Sequence, residues 1–408
     1  MSMNRRTFLA AALAGGLAPR PRGIFAAQAP GADVKGLTRA DLPTPALLLD
    51  LDAFEANLRT MAEHCQRSGV GFRPHAKTHK CPEIARRQVA SGALGVCVAT
   101  VPEAEAMVAA GIPGVLLTSP IVDRGKVGRM VALAKRGGDV MLAVGHPREG
   151  ELLAEAAEAA GVVLKVLVDV DVGDRRTGVL PGGPALELAR LLAKSKHLRL
   201  VGVQAYSGSA SHTVGFERRQ KVSREAMLKA VEVRDLLARN GLETQILSGG
   251  STGTYNIDSA IRGVTELQVG SYVFMDVDYR RIGGKDGPVY TDFRPSLTVL
   301  TTVVSATHPD RVSVDAGTKA FATDVTSRPE AKGWEGLSYS RAGDEFGSLT
   351  AADGTKLPRL GDRLEFLVPH CDPTVNLYDH LWAMRGEKVE AVWPIVARRE
   401  LVAPRPHG

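Results

Sequence analysis

The sequence has no apolar run long enough to span a bilayer. The nearest candidate, residues 10–18, falls well short of the ~20 residues that a spanning helix needs. Aromatic residues are scarce at 5%, and the four cysteines, Cys65, Cys81, Cys97 and Cys371, contain no CxxC pair. That spacing gives no disulfide framework, so the thiols are expected to act as small buried hydrophobes. Charge of one sign is not concentrated either. The net charge is only +6 and the arginines are scattered, which argues against a nucleic-acid partner. No repeat period and no long low-complexity segment is present. What remains is 408 residues, 44% hydrophobic and with 43 glycines, the composition of an ordinary α/β protein large enough for more than one domain.

Residues 1–29 read as an address and not as part of the fold. Asn4-Arg5-Arg6-Thr7-Phe8-Leu9 precedes the short apolar run, and Ala27-Gln28-Ala29 offers a small-residue cleavage site. A basic start, a short apolar core and such a site make a signal peptide. The adjacent arginines point to the twin-arginine export machinery. The mature protein is then expected in the periplasm, free of the membrane, with residues 30–43 as a linker.

From residue 70 onward short β-rich runs alternate with amphipathic helical stretches. The β runs are 70–73, 95–100, 115–119, 140–144, 164–171, 200–206, 245–248 and 266–274. Helical stretches fall at 81–89, 102–110, 122–135, 148–160, 183–193 and 216–240, with Pro82 and Pro102 where a first turn tolerates proline. A strand-then-helix unit repeated in this way predicts a (β/α)8 TIM-type barrel over residues 44–285. Beyond Asp276 the character changes to β-like runs at 296–305, 311–315, 363–368 and 388–396 without comparable helices. Residues 286–408 therefore read as a mainly antiparallel β domain. Residues 44–50 are a further candidate strand for that domain.

A barrel gathers its reactive groups at the C-terminal ends of its strands. The first strand ends Arg73-Pro74-His75-Ala76-Lys77-Thr78-His79-Lys80. A lysine crowded by cations has its ammonium form disfavoured, which suits Schiff-base chemistry. The alternative is a basic surface loop. The fifth strand ends Gly173-Asp174-Arg175-Arg176-Thr177-Gly178, and the sixth ends Gln204-Ala205-Tyr206-Ser207-Gly208 with His212 shortly after. The seventh ends Ser248-Gly249-Gly250-Ser251-Thr252-Gly253-Thr254, whose N–H groups and hydroxyls suit a phosphate. Tyr272, read as part of the eighth strand, adds a hydroxyl. In the second domain stands Pro369-His370-Cys371-Asp372-Pro373-Thr374. A strand there would turn His370 and Asp372 to one side, imidazole and carboxylate together, as a divalent cation prefers. A structural His–Asp pair is the alternative.

Together these motifs resemble the D-threonine aldolase and D-serine dehydratase family, whose barrel is like that of alanine racemase. The resemblance runs from Thr44-Pro45-Ala46-Leu47-Leu48-Leu49-Asp50 to the His370 motif. It implies a pyridoxal 5'-phosphate enzyme with Lys77 as the Schiff-base residue. His75, Arg176 and Tyr206 join it at the cofactor, Ser248, Gly249, Gly250, Ser251, Thr252 and Tyr272 fall beside the phosphate, and His212 acts at the substrate. His-Cys-Asp is the aldolase form of the metal motif, where dehydratases place cysteine two positions after the histidine. The carboxylate favours Mn2+ first, with Mg2+ or Zn2+ as alternatives. The reaction implied is cleavage of D-3-hydroxy amino acids, with dehydration, racemisation or non-catalytic cofactor binding as alternatives. A head-to-tail homodimer is the implied assembly.

Overall fold

The computed structural model describes residues 34–242 and 244–399; the expected signal peptide lies outside them. No helix of the described residues is long and apolar enough to cross a membrane. The chain enters through β1 (Ala46–Asp50), in which Leu47 and Leu49 are fully buried. It then builds an eight-stranded parallel sheet from β2 (Gly71–Phe72), β3 (Cys97–Val98), β4 (Val115–Leu117), β5 (Val140–Val144), β6 (Leu164–Val170), β7 (Leu198–Ala205), β8 (Ile246–Gly249) and β9 (Glu266–Leu267). From β3 to β9 each strand pairs with the next, and β9 pairs with β2. A bridge between His75 and Cys97 joins the chain after β2 to β3 and closes the ring.

The barrel helices begin where the sequence supplies a cap. Thr100 accepts the Glu103 N–H ahead of Val101–Ala109, and Asp123 accepts that of Lys126 ahead of Arg124–Lys135. Pro82, Pro102 and Pro147 occupy first turns, where a missing N–H costs nothing.

Strand alternation sorts the barrel residues into two faces. Val115, Leu117, Val166 and Val168 join the large core shared with the helices, while Cys97, Leu116, Met141 and Leu167 form a separate apolar layer. Two positions beyond Leu116 and Leu167 come Thr118 and Asp169, so the inner face turns polar at the C-terminal end. Gln204, Ser248 and Gln268 complete that polar layer. Arg73 and Glu266 close the other end with two parallel hydrogen bonds of 2.9 Å.

The second sheet is mostly antiparallel. It combines β1 with β10 (Leu297–His308), β11 (Arg311–Val314), β12 (Glu330–Ala331), β13 (Leu337–Arg341), β14 (Gly347–Ala351), β15 (Arg363–Leu367), β16 (His380–Arg385) and β17 (Lys388–Pro394). Within it β1 pairs antiparallel with β10 and parallel with β16, so this sheet takes a strand from ahead of the barrel.

The sequence reading did not include β12, β13, β14 or β16, and two segments near the candidate site differ from it. The run 266–274 is a strand only at Glu266–Leu267. Ser271–Val273 forms a 3-10 turn in which the Ser271 carbonyl accepts the N–H groups of Phe274 and Met275, bending the chain out of the barrel. Tyr272 therefore stands in a turn and not in a strand. Residues 370–372 are not extended either. His370 caps the short helix Cys371–Val375, whose first turn holds Pro373, a residue with φ already set for it.

Candidate active site

A cavity of about 530 Å³ opens at the C-terminal end of the barrel. Its floor is formed by Thr118, Asp169, Gln204 and Gln268 of the polar layer. The Gln204 side-chain amide donates to Asp169 Oδ1 at 3.0 Å and to the Thr118 carbonyl at 3.1 Å, while Gln268 donates to Ser248 Oγ at 2.9 Å. Burial pushes the Asp169 carboxyl up. Thr118, Asp169, Gln204 and Gln268 line the cavity, although the sequence reading gave them no role. Their signal was a polar residue at the last inward position of an apolar run.

Lys77 reaches the cavity from the 3-10 turn Ala76–Thr78, directly after the first barrel strand. Its Nζ donates to Asp372 Oδ2 at 2.5 Å. The Asp372 carboxylate beside it raises the Lys77 pKa in spite of burial, so the ammonium is favoured. That corrects the expectation that crowding cations would disfavour it. The physical reason is that the other basic groups of the motif diverge or are neutral. Arg73 turns to Glu266, and Lys80 to Asn376 and Glu103. His75 is held well below the ordinary imidazole value by burial and by the Lys77 ammonium, and its Nε2 meets Thr118 Oγ1 at 3.1 Å. Burial pushes His79 down to about 4. His79 Nδ1 accepts the Cys81 N–H, which assigns the proton to Nε2 and makes it the donor to Gln88 Oε1 at 3.2 Å.

Gln88 in turn donates to the Tyr272 hydroxyl at 3.2 Å. Tyr272 is fully buried and does not line the cavity, so its hydroxyl belongs to this internal chain. It still touches the 248–254 loop, through its backbone N–H to Thr252 Oγ1 at 3.0 Å. Within that loop Ser251 and Thr252 line the cavity, whereas Ser248, Gly249 and Gly250 do not. A Cβ on Gly249 would lie 2.2 Å from the Ala205 carbonyl oxygen, and one on Gly250 would lie 2.8 Å from Asp258 Oδ2. Close packing therefore accounts for both glycines. Arg176 and Tyr206 line the opposite wall, with the guanidinium 5.0 Å from the ring centroid.

His212 stands just outside the cavity lining, its ring tilted against the cavity-lining Tyr279 at 4.6 Å. Its Nδ1 is 3.0 Å from Asp278 Oδ2. Contact with His212 is the main reason that the Asp278 carboxyl is held low, and Ser327 Oγ also donates to it at 3.0 Å. His370 Nδ1 lies 2.7 Å from Asp324 Oδ2, so Nε2 is the nitrogen left to ligate, the arrangement in which a carboxylate orients a metal-bound imidazole. Burial would push Asp372 up, but the charges of Lys77 and His370 outweigh it and hold the carboxyl well below the usual range. Among the described residues no group of three or more His, Cys, Asp or Glu side chains is placed to hold a metal. His370 and Asp372 therefore offer two donor side chains at most.

The closed barrel, the lysine after its first strand and the hydroxyl loop after its seventh define the class: alanine-racemase-like barrels, for which the family implies pyridoxal phosphate. Residues 49–278 match the family model of the alanine racemase N-terminal domain, and residues 296–384 match that of a putative serine dehydratase domain. The chain belongs to the D-threonine aldolase and D-serine dehydratase family within this class, and is a carbon–carbon lyase by kind. It is 41% identical over 362 residues to a D-threonine aldolase of Arthrobacter sp, covering 89% of this chain and 94% of the relative. It is 36% identical to a 3-hydroxy-D-aspartate aldolase of Paracoccus denitrificans, with the same coverage. The crystal structure of D-threonine aldolase from Filomicrobium marinum superposes with a TM-score of 0.85 at 39% identity, covering 89% of this chain and 97% of that one.

The cavity fits the cofactor. It offers an amine, a cation beside an aromatic ring, and the Ser251 and Thr252 hydroxyls. Among the described residues the N–H groups of Thr252 and Gly253 have no hydrogen-bond partner, as a phosphate cradle requires.

Proposed function

We propose that the protein is a pyridoxal-phosphate- and divalent-cation-dependent aldolase that cleaves D-3-hydroxy amino acids of the D-threonine type into glycine and an aldehyde. One observation carries the reading: the cavity-lining Lys77 of the barrel touches Asp372 of the His-Cys-Asp motif at 2.5 Å. That contact supports a reading in which a cofactor on Lys77 and a cation at the His-Cys-Asp motif act on the same substrate. When bound, pyridoxal phosphate supplies an electron sink at Cα, and the cation supplies a Lewis acid at the 3-hydroxyl.

The chain's own residues do the rest. Lys77 holds the cofactor covalently, Arg176 and Tyr206 are assigned to its ring, and Ser251 and Thr252 to its phosphate. His75, kept neutral, faces the cofactor without adding charge. His370 and Asp372 hold the cation, Mn2+ before Mg2+ or Zn2+. His212, oriented by Asp278, accepts the proton of the 3-hydroxyl as the Cα–Cβ bond breaks. The dehydratase reading is second, favoured by the match of residues 296–384, which contain His370 and Asp372, to a serine dehydratase domain.

The Arg5-Arg6 start supports export through the twin-arginine machinery as a folded holoenzyme, hence a periplasmic location, and a head-to-tail homodimer is part of the same reading. The reverse reaction tests the central step. Given glycine, acetaldehyde, cofactor and Mn2+, the enzyme is expected to make threonine of D configuration at Cα. Chiral analysis showing no threonine from an enzyme that still consumes D-threonine would overturn the aldolase reading.

A further inference from the structure

Arg219 is a fully buried side chain whose hydrogen-bond and ion-pair partners include no carboxylate among the described residues. It lies in the first turn of the helix Phe216–Arg239, where the helix dipole also disfavours a cation. Asp292 acts on it only through space, and burial still disfavours its charge. Its four hydrogen bonds all go to backbone carbonyls: Nε to Gly253 at 2.8 Å, Nη1 to Thr213 and Ile282 at 2.9 Å each, and Nη2 to Gly283 at 2.7 Å. Tyr290 is buried beside it, with the guanidinium 5.7 Å from the ring centroid, and donates its hydroxyl to the Thr252 carbonyl at 2.6 Å.

Both side chains therefore grip consecutive carbonyls of the turn whose other side meets the cavity. Neither lines the cavity itself. A trans peptide is planar, so drawing the Thr252 carbonyl toward Tyr290 sends the Gly253 N–H the opposite way. Gly253 packs closely on the neighbouring chain, since a Cβ there would lie 2.1 Å from the Ser211 carbonyl oxygen. The turn is held from behind with the Thr252 and Gly253 N–H groups unspent.

We propose that Arg219 and Tyr290 are positioning residues for an organic phosphate. They fix the 251–254 turn so that the Thr252 and Gly253 N–H groups face the phosphate of the cofactor. This rests on the reading that the 251–254 turn holds the phosphate, and the test separates the two. Holoenzyme is equilibrated with a mixture of pyridoxal phosphate and pyridoxal, reduced with borohydride, and the ratio of the two adducts is read by mass spectrometry. Pyridoxal carries the same aldehyde and ring without the phosphate, so a general loss of folding would not change the ratio.

Arg219→Met is expected to shift the ratio toward pyridoxal by about 30-fold, and Tyr290→Phe by about fivefold, from the loss of a charge-assisted and a neutral hydrogen bond. Ser251→Ala serves as the direct-contact control and should shift it as well. If Arg219→Met does not fold, Tyr290→Phe, which removes one oxygen, decides the matter. A shift in Ser251→Ala with none in the other two would make Arg219 and Tyr290 mere scaffolding and overturn the proposal. No shift in any of the three would place the phosphate elsewhere, and the proposal would fall together with the loop assignment.

Discussion

Lys77→Ala is expected to give a folded protein that no longer binds the cofactor covalently and turns over D-threonine about a thousandfold more slowly, or worse. Lys77 is the lysine that the cavity contains, since Lys80 is drawn to Glu103 and Asn376. The substitution also strips Asp372 of the ammonium that does most to hold its carboxyl low, leaving chiefly His370 to oppose burial. The variant should therefore lose both cofactor attachment and a settled charge at the metal motif. The check is the visible absorbance of the lysine-bound cofactor together with kcat. Absorbance retained in Lys77→Ala would remove this lysine from the reaction.

The second large effect concerns the cation. Asp372→Ala and His370→Ala should each weaken Mn2+ binding by about 100-fold or more while the cofactor absorbance persists. Chelation of the wild-type enzyme should abolish turnover, with recovery on adding Mn2+. Calorimetric titration of Mn2+ into wild type and variants provides the comparison. Unchanged metal affinity in Asp372→Ala would show that the carboxylate serves only as the partner of Lys77, to which it is already bonded.

Much of this architecture was legible in the chain because strand-then-helix periodicity is strong from residue 70 onward and proline and cap residues punctuate it. The reading failed where tertiary geometry overrides pattern. Tyr272 continues an apolar run, yet it stands in the Ser271–Val273 turn with its hydroxyl in the His79–Gln88 chain. His370 and Asp372 looked like alternate strand positions, but Pro373 favours a first helical turn. The basic run 73–80 suggested mutual repulsion at Lys77, whereas each neighbour finds its own partner and a carboxylate 295 positions away in sequence sets the lysine's charge. Spacing carries no information about such a long-range pair. The cavity floor of Thr118, Asp169, Gln204 and Gln268 was visible only as polar residues closing apolar strands, a pattern that acquires meaning once the strands are known to face one interior.

Product analysis with D-threonine as the probe tests the central claim most directly. Holoenzyme supplied with Mn2+ is predicted to release glycine and acetaldehyde in equal amounts, with both lost on chelation and restored by the metal. Release of 2-oxobutyrate and ammonia in their place would contradict the account and make the enzyme a dehydratase that carries the His-Cys-Asp motif.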